Sequence, residues 1–191
     1  MTSTSFPGRP SAADLRRLLD EGGVRCEPGM SERELAAVEE AYGFRFSADH
    51  RLLLGAVLPL GPGWPDWRDG RPANLRLQVG LPVQGVLFDV ENSGFWPTAW
   101  GPKPTQAKHA LKSARWHLAK APRLVPFHVN HYVPESADAW DHPVLSVHRT
   151  DVAVRGSDLA DYLRREFGTG PQLPLPAQSS TVPFWGDLPE A

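Results

Sequence analysis

The stretch Pro143–Leu163, PVLSVHRTDVAVRGSDLADYL, decides the fold. Residues 143–148 and 151–156 are strand-like runs separated by only two residues, which is the spacing of a tight β-hairpin. Ser157 then marks the start of a helix. One face of that helix carries the apolar residues Leu159, Tyr162, Leu163 and Phe167. This part of the chain therefore predicts two antiparallel strands followed by a closing helix.

Two further strands are predicted upstream of this hairpin. The run LVPFHV, residues 124–129, has the composition and length of a strand. The run VLFDVE, residues 86–91, alternates apolar and acidic side chains. As a strand it would place Asp89 and Glu91 together on one face.

The N-terminal third predicts helices. Ser31 and Glu34 form a capping box, in which each side chain satisfies a free amide at the helix start. Other helices are expected from Ser11, from Ser47 and over residues 105–120, whereas the prolines and glycines of residues 59–65 argue against any regular element there. Helices first, then strands, then a closing helix indicate an α+β fold. We expect N-terminal helices on a mixed, largely antiparallel sheet, with a C-terminal helix and a Pro-rich tail.

The 191 residues are enough for one core, since a domain of this size buries about 70% of its unfolded surface. We expect residues 1–10 to be a flexible leader and residues 11–168 a single domain. Residues 169–191 form a Pro-rich tail, in which Phe184 and Trp185 are expected to dock back onto the body.

The composition predicts a cytoplasmic protein. Cys26 is the only cysteine and cannot form an internal disulfide, so an oxidising compartment would add no stability to the fold. The N-terminus lacks the basic start and apolar run of a signal peptide. The apolar stretches are too short to cross a bilayer, so no membrane partner is expected.

Charge is unevenly distributed along the chain. Six of the 20 basic residues fall within residues 103–123, where no acidic residue occurs, and the other 14 stand against 22 acidic residues. We call residues 103–123 the basic segment. Lys108, Lys112 and Arg115 share a helical face there that could contact phosphates. A solvated helix face is the commoner explanation, and the acidic remainder would repel nucleic acid, so no nucleic-acid partner is expected.

No pattern in the sequence indicates catalysis, and no catalytic residue, cofactor or small-molecule substrate is predicted. His128 and His131, three apart on one strand, would point to opposite faces and could not share a metal ion, so no metal site is predicted. Asp89 and Glu91 could act as an acid–base pair in a hydrolase, but a polar strand face is the commoner interpretation.

The tryptophans favour a binding role. Trp64, Trp67, Trp96 and Trp100 all lie in Pro/Gly-rich stretches rather than on periodic elements. Tryptophan is enriched where proteins bind one another. For each ring taken alone, pinning a loop onto the core is the favoured alternative.

Several segments resemble the SUKH superfamily, named for a fungal cell-wall-synthesis regulator and for bacterial immunity proteins. The matching segments run in the family's order from about Ser31 to Phe167. They are SERELAAVEEAYGFRF with SADHRLLL, GPGWPDWR, GVLFDVENSGFWPTAWGPKP, LVPFHVNHYVP and PVLSVHRTDVAVRGSDLADYL.

The resemblance implies an α+β binding module without catalytic residues, in bacteria often one that neutralises a toxin, commonly a nuclease, by direct contact. Asp89 and Glu91 would then mimic phosphate in a basic toxin cleft, and the four loop tryptophans would anchor the contact. A housekeeping regulatory or scaffold protein of the same fold, with no toxin partner, is the alternative. The basic segment departs from the nuclease-inhibitor picture.

Overall fold

The computed structural model of the chain describes residues 9–136, 139–168, 174–175 and 182–188. Most of the expected leader and much of the expected tail lie outside these residues. The helices are α1 (Ala12–Glu21), α2 (Glu32–Tyr42), α3 (Ala48–Ala56), α4 (Pro72–Asn92), α5 (Ala107–Leu118) and α6 (Leu159–Phe167). The strands are β1 (Arg25–Pro28), β2 (Val57–Leu60), β3 (Leu124–His128), β4 (His131–Pro134), β5 (Val144–His148) and β6 (Asp151–Gly156). The α+β class is confirmed.

The strands form two separate sheets in which every pairing is antiparallel. β3, β4, β5 and β6 make a four-stranded meander, with each strand beside its neighbour in sequence. β5 and β6 form the predicted hairpin, with Val147 opposite Val152 and His148 opposite Asp151. β1 and β2 make a two-stranded sheet of their own.

Helices cover both faces of the meander. Successive strand residues point to opposite faces, and both sets are buried here. One face packs with α4, α5 and the tail, through Leu124, Tyr132, Leu145, Val147, Val152 and Val154. The other face packs with α1, α3 and α6, through Phe127, Val133 and Val144. A third cluster joins α2, α3 and β2 at one end of the meander.

The helix starts follow short-range capping chemistry. Ser31 and Glu34 form the predicted capping box of α2, and Ser11 with Asp14 forms another at α1. At α6 the N-cap is Asp158, whose carboxylate accepts from the Asp161 amide at 2.7 Å, not the predicted Ser157. The Ser157 amide and hydroxyl instead donate to Asp161. The helix was predicted correctly and its cap was misplaced by one residue.

The strand predicted at residues 86–91 is wrong, since these residues form the last turns of α4. The buried positions of α4 recur at helical spacing, at Leu75, Pro82, Val86, Asp89 and Val90. The local alternation of apolar and acidic residues imitated a strand, but burial against the meander and α5 decides the outcome.

The expectation of no regular element over residues 59–65 also fails at its first two residues. Pro59 and Leu60 belong to β2, where Cys26 of β1 lies opposite Pro59. A two-stranded sheet leaves one edge of each strand unpaired, so a proline can be accommodated there.

The tail lies against the meander at its aromatic pair. Trp185 is buried, and its indole Nε1–H donates to the Pro122 carbonyl at 2.8 Å. Val182 and Leu188 are buried in the same cluster. The tail therefore contributes to the core on the α4–α5 side.

Candidate functional site

Trp67 is a core residue. Its side chain is only 5% exposed, and its ring makes edge-to-face contacts with Tyr42, Phe44 and Phe46, with centroids 5.6–5.9 Å apart. Such contacts stabilise packing beyond the area they bury. Trp67 therefore holds its loop to the third cluster, as the loop-pinning alternative predicts, and offers no surface to a partner.

Trp64 is half-buried and lies in the same loop, three residues before Trp67. Its ring lies 4.5 Å from that of His128 and stacks on Phe167 at 5.9 Å. The loop is thereby tied to the β3–β4 hairpin and to α6. Trp64 keeps a partly accessible edge, but most of its contacts are internal.

Trp96 and Trp100 organise the connection between α4 and α5. The Trp96 indole donates to the Gly101 carbonyl at 2.8 Å, which closes the loop on itself. Trp100 is stacked between His117, with centroids 4.9 Å apart, and Phe184, with centroids 5.6 Å apart. This stack joins the loop, α5 and the tail. Both tryptophans are half-buried.

Asp89 and Glu91 do not share a face, because they are two residues apart on a helix rather than on a strand. Asp89 is 5% exposed. Its carboxylate accepts from the Thr150 hydroxyl at 2.9 Å and the Ser93 hydroxyl at 3.1 Å. Asp89 therefore fixes the β5–β6 turn to α4, and only Glu91 is exposed to solvent.

The structure brings together an apolar surface that the sequence analysis missed. Leu77, Leu81 and Phe88 are 51%, 46% and 44% exposed. They lie four and seven residues apart on α4, so a rotation of about 100° per residue places them within roughly 40° of one another. We call these three residues the α4 stripe. Their spacing in the sequence was available, but the misassignment of residues 86–91 to a strand separated Phe88 from the two leucines.

Charged groups flank one end of the α4 stripe. The Arg149 guanidinium lies 4.3 Å from the centroid of the Phe88 ring and 3.7 Å from the Asp89 carboxylate. Glu91 lies about one helical turn beyond Phe88 and is exposed to solvent. An exposed aromatic ring beside an arginine is a composition typical of protein interfaces.

The basic segment lies largely on α5 and the loop before it. Lys108, Lys112 and Arg115 are exposed. Trp116 is 58% exposed, and the Lys120 ammonium lies 3.1 Å from its ring centroid. The charge of Lys120 is thus held against the Trp116 ring and does not extend the exposed row formed by Lys108, Lys112 and Arg115.

His128 and His131 converge instead of diverging. They flank the two-residue turn between β3 and β4 and pair directly across it. Both Nδ1 atoms lie 2.8 Å from the Tyr162 hydroxyl of α6. The prediction of opposite faces was wrong because it treated residues 128–131 as one strand.

The two Nδ1 atoms must play different roles to satisfy this arrangement, one accepting a hydrogen bond and the other donating one. Tyr162 can donate its proton to one Nδ1, and the other imidazole then donates its Nδ1–H to the Tyr162 oxygen. Burial, followed by the charges of His128 and Arg155, lowers the pKa of His131 to about 4. Burial also lowers the pKa of His128 and raises that of Tyr162. The cluster resists protonation and stabilises the hairpin on α6.

Neither metal binding nor a membrane span finds support in the described residues. Among them, no group of three His, Cys, Asp or Glu side chains could hold an ion. Over the same part of the chain, no helix is both long and apolar enough to cross a bilayer.

Comparison with known proteins adds no relative from which function could be transferred. No protein-family model, curated protein or solved structure matches the chain.

Proposed function

We propose that the chain is a non-enzymatic protein-binding module that works as an immunity protein and neutralises a cognate toxin by direct contact through the α4 stripe. The observation that carries the proposal is the exposure of Leu77, Leu81 and Phe88 on one face of a 21-residue helix. From Leu77 to Phe88 the stripe extends about 16 Å along the helix axis.

Burial of the stripe supplies the driving force for binding. Covering apolar surface is favourable by about 25 cal/mol per Å². Phe88 is held in place by Arg149, so its ring meets a partner without losing much further rotational freedom. We therefore expect Phe88 to be the anchor of the contact, with Arg149 and Glu91 at its rim.

This mode of binding differs from phosphate mimicry. Because Asp89 is engaged by Ser93 and Thr150, only Glu91 of the acidic pair can face a partner. In this proposal the apolar stripe provides the affinity, and the charges of Arg149 and Glu91 at its rim select the partner. The partner can therefore be a toxin other than a nuclease.

The test is affinity capture from native cells with three baits, followed by reconstitution with the identified partner. The baits are the wild-type chain, Leu77→Glu/Leu81→Glu and Trp116→Ser. Trp116 is also exposed but lies on α5, so it is the matched control. We expect the double variant to lose the partner and to bind it at least about 100-fold more weakly in solution, in the range of interface hot spots. Trp116→Ser should bind like wild type.

Expression of the captured partner alone decides between the two kinds of binding module. An immunity protein requires that the partner arrests growth and that co-expression of this chain, but not of Leu77→Glu/Leu81→Glu, restores it. A harmless partner that binds through the same stripe would instead support the regulatory or scaffold alternative. Equal binding of all three baits would overturn the assignment of the α4 stripe.

A further inference from the structure

A cavity of about 520 Å³ opens to solvent on the side of the molecule where α2, α4 and α5 meet. Its walls come from the end of α2, the first half of α4, the end of α5, the segment leading into β3, and the tail. The volume falls within the range of roughly 300–1,000 Å³ that is typical of small-ligand sites. None of the residues predicted to bind a partner lines it.

The inner wall of the cavity is apolar. It is formed by Val79, Pro82, Val83, Leu118, Leu124 and Trp185. Trp185 and Leu118 are almost fully buried, and the indole of Trp185 is fixed by its hydrogen bond to Pro122. This wall is therefore built on well-packed elements rather than on loop side chains alone.

Three arginines surround this apolar wall. Arg76 comes from α4, and Arg115 and Arg123 are the two arginines of the basic segment. Within the described part of the chain, no carboxylate lies within ion-pair distance of any of the three. Arg76 lies over the Tyr42 ring at 5.9 Å, and Arg123 donates to the Tyr42 carbonyl at 3.2 Å. Both guanidiniums are thus positioned at the cavity by an aromatic residue that also lines it.

The one acidic residue at the cavity is already engaged. The Glu135 carboxylate accepts from the Arg123 backbone amide at 3.1 Å, and the Glu135 amide donates to the Arg123 carbonyl at 2.8 Å. Three cationic side chains against one carboxylate leave the cavity positive, in a chain whose net charge is −2.

We propose that this cavity binds a small amphipathic anion, with its carboxylate or phosphate held by Arg76, Arg115 and Arg123 and its apolar body against the half-buried Val79 and Val83. Guanidinium groups recognise both kinds of oxyanion through paired hydrogen bonds. The apolar wall selects against inorganic anions, which would leave it uncovered. The site is separate from the α4 stripe, so the two proposals stand or fall independently.

The test uses four probes of defined chemistry: octanoate, octyl phosphate, 1-octanol and acetate. Binding is followed by nuclear magnetic resonance through the Trp185 indole Nε1–H, which reports on the cavity wall. We expect octanoate or octyl phosphate to shift this resonance saturably, and 1-octanol to bind at least about fivefold more weakly because it lacks the charge. Acetate should not shift it. Whichever anion binds more tightly identifies the head group.

Charge-removing variants provide the matched control. Arg76→Gln/Arg115→Gln should weaken binding of the better anion at least about fivefold, whereas Lys108→Gln/Lys112→Gln, which removes two charges outside the cavity, should leave it unchanged. Val83→Phe fills the cavity and should abolish the shift while thermal unfolding confirms a folded chain. The proposal is overturned if neither anion shifts the Trp185 signal, if 1-octanol binds equally well, or if both double variants behave alike.

Discussion

Val129 is the first of the two residues that join β3 to β4, and its φ is +53°. β-branched residues rarely adopt this left-handed conformation, which costs them about 1–2 kcal/mol, whereas asparagine tolerates it. Val129 is 64% exposed, so little packing is lost when its side chain is replaced. We expect Val129→Asn to raise the free energy of unfolding by about 1 kcal/mol, measured by urea denaturation. Unchanged or lower stability would mean that the valine methyl groups outweigh the backbone strain.

The histidines that contact Tyr162 predict a pH dependence of stability. The pKa of His131 is about 4 in the folded chain, below the value of about 6.5 for an unperturbed histidine. As the pH falls, His131 takes up its proton in the unfolded chain before it does so in the folded chain. The contribution of His131 to the free energy of unfolding is therefore complete above pH about 6.5 and is lost as the pH falls towards 4. We expect the free energy of unfolding to decrease between pH 7 and 5.

A substitution isolates this contribution. His131→Asn should reduce the slope of the unfolding free energy against pH. The reduction is at most about 1.4 kcal/mol per pH unit, which corresponds to one proton. Urea denaturation at pH 7, 6 and 5 provides the measurement. Equal slopes for wild type and His131→Asn would show that folding does not lower the pKa of His131, so that it takes up its proton alike in the folded and unfolded chains.

Site residues were harder to predict than helix caps, because the residues that contact them lie far away in the sequence. The Ser31–Glu34 capping box depends on residues three apart, so the sequence alone revealed it. Asp89 is buried because of Thr150, 61 residues away. Trp67 is buried by aromatic rings from a different part of the chain. No local pattern distinguishes such residues from exposed anchors.

At the scale of elements, α4 and the β5–β6 turn are in close contact at Gly85. A Cβ atom added there would lie 2.7 Å from the Arg149 Cα, which is backbone and cannot easily yield. At Gly80, on the same helix, the nearest atom would be the Gln84 amide nitrogen at 2.9 Å, at the end of a flexible side chain.

These two glycines form a matched pair for substitution. Gly80→Ala should raise the free energy of unfolding by up to about 1 kcal/mol, since alanine favours the helix. Gly85→Ala should lower it by about 1–3 kcal/mol by forcing the turn away from α4. Chemical denaturation of both variants tests the contact. Stabilisation by both would mean that the turn moves away without cost.

The elements most regular in sequence were also the ones most accurately predicted. The β5–β6 hairpin, α2 and α5 were anticipated because alternation or helical spacing continues through each of them. The C-terminal end of α4 was mistaken for a strand because Gly80, Pro82 and Gly85 interrupt the helical pattern before it, although the buried residues of α4 keep helical spacing. β1 was missed because four residues are too few to show a periodicity. Burial against other elements decides α4, and pairing with β2 decides β1.

At the scale of the whole molecule, residues 182–188 of the tail are part of the folded body. Trp185 is 1% exposed and belongs to the cluster that joins α4, α5 and the meander. Trp185→Ala should lower the free energy of unfolding by about 3–5 kcal/mol, as large-to-small substitutions in cores do. Trp116→Ala, at an exposed ring, should change it by less than about 0.5 kcal/mol. A small effect at Trp185 in urea denaturation would show that the tail detaches without disturbing the core.

The meander also has a consequence for how the chain folds over time. Each of its pairings joins strands adjacent in sequence, whereas β1 must find β2 across α2 and α3. Closing a short loop costs less entropy than closing a long one, and chains rich in local pairings fold faster. We therefore expect the transition state for folding to contain the meander, with the β1–β2 pair forming after the rate-limiting barrier. Substitutions in β1 would then accelerate unfolding while leaving the refolding rate nearly constant.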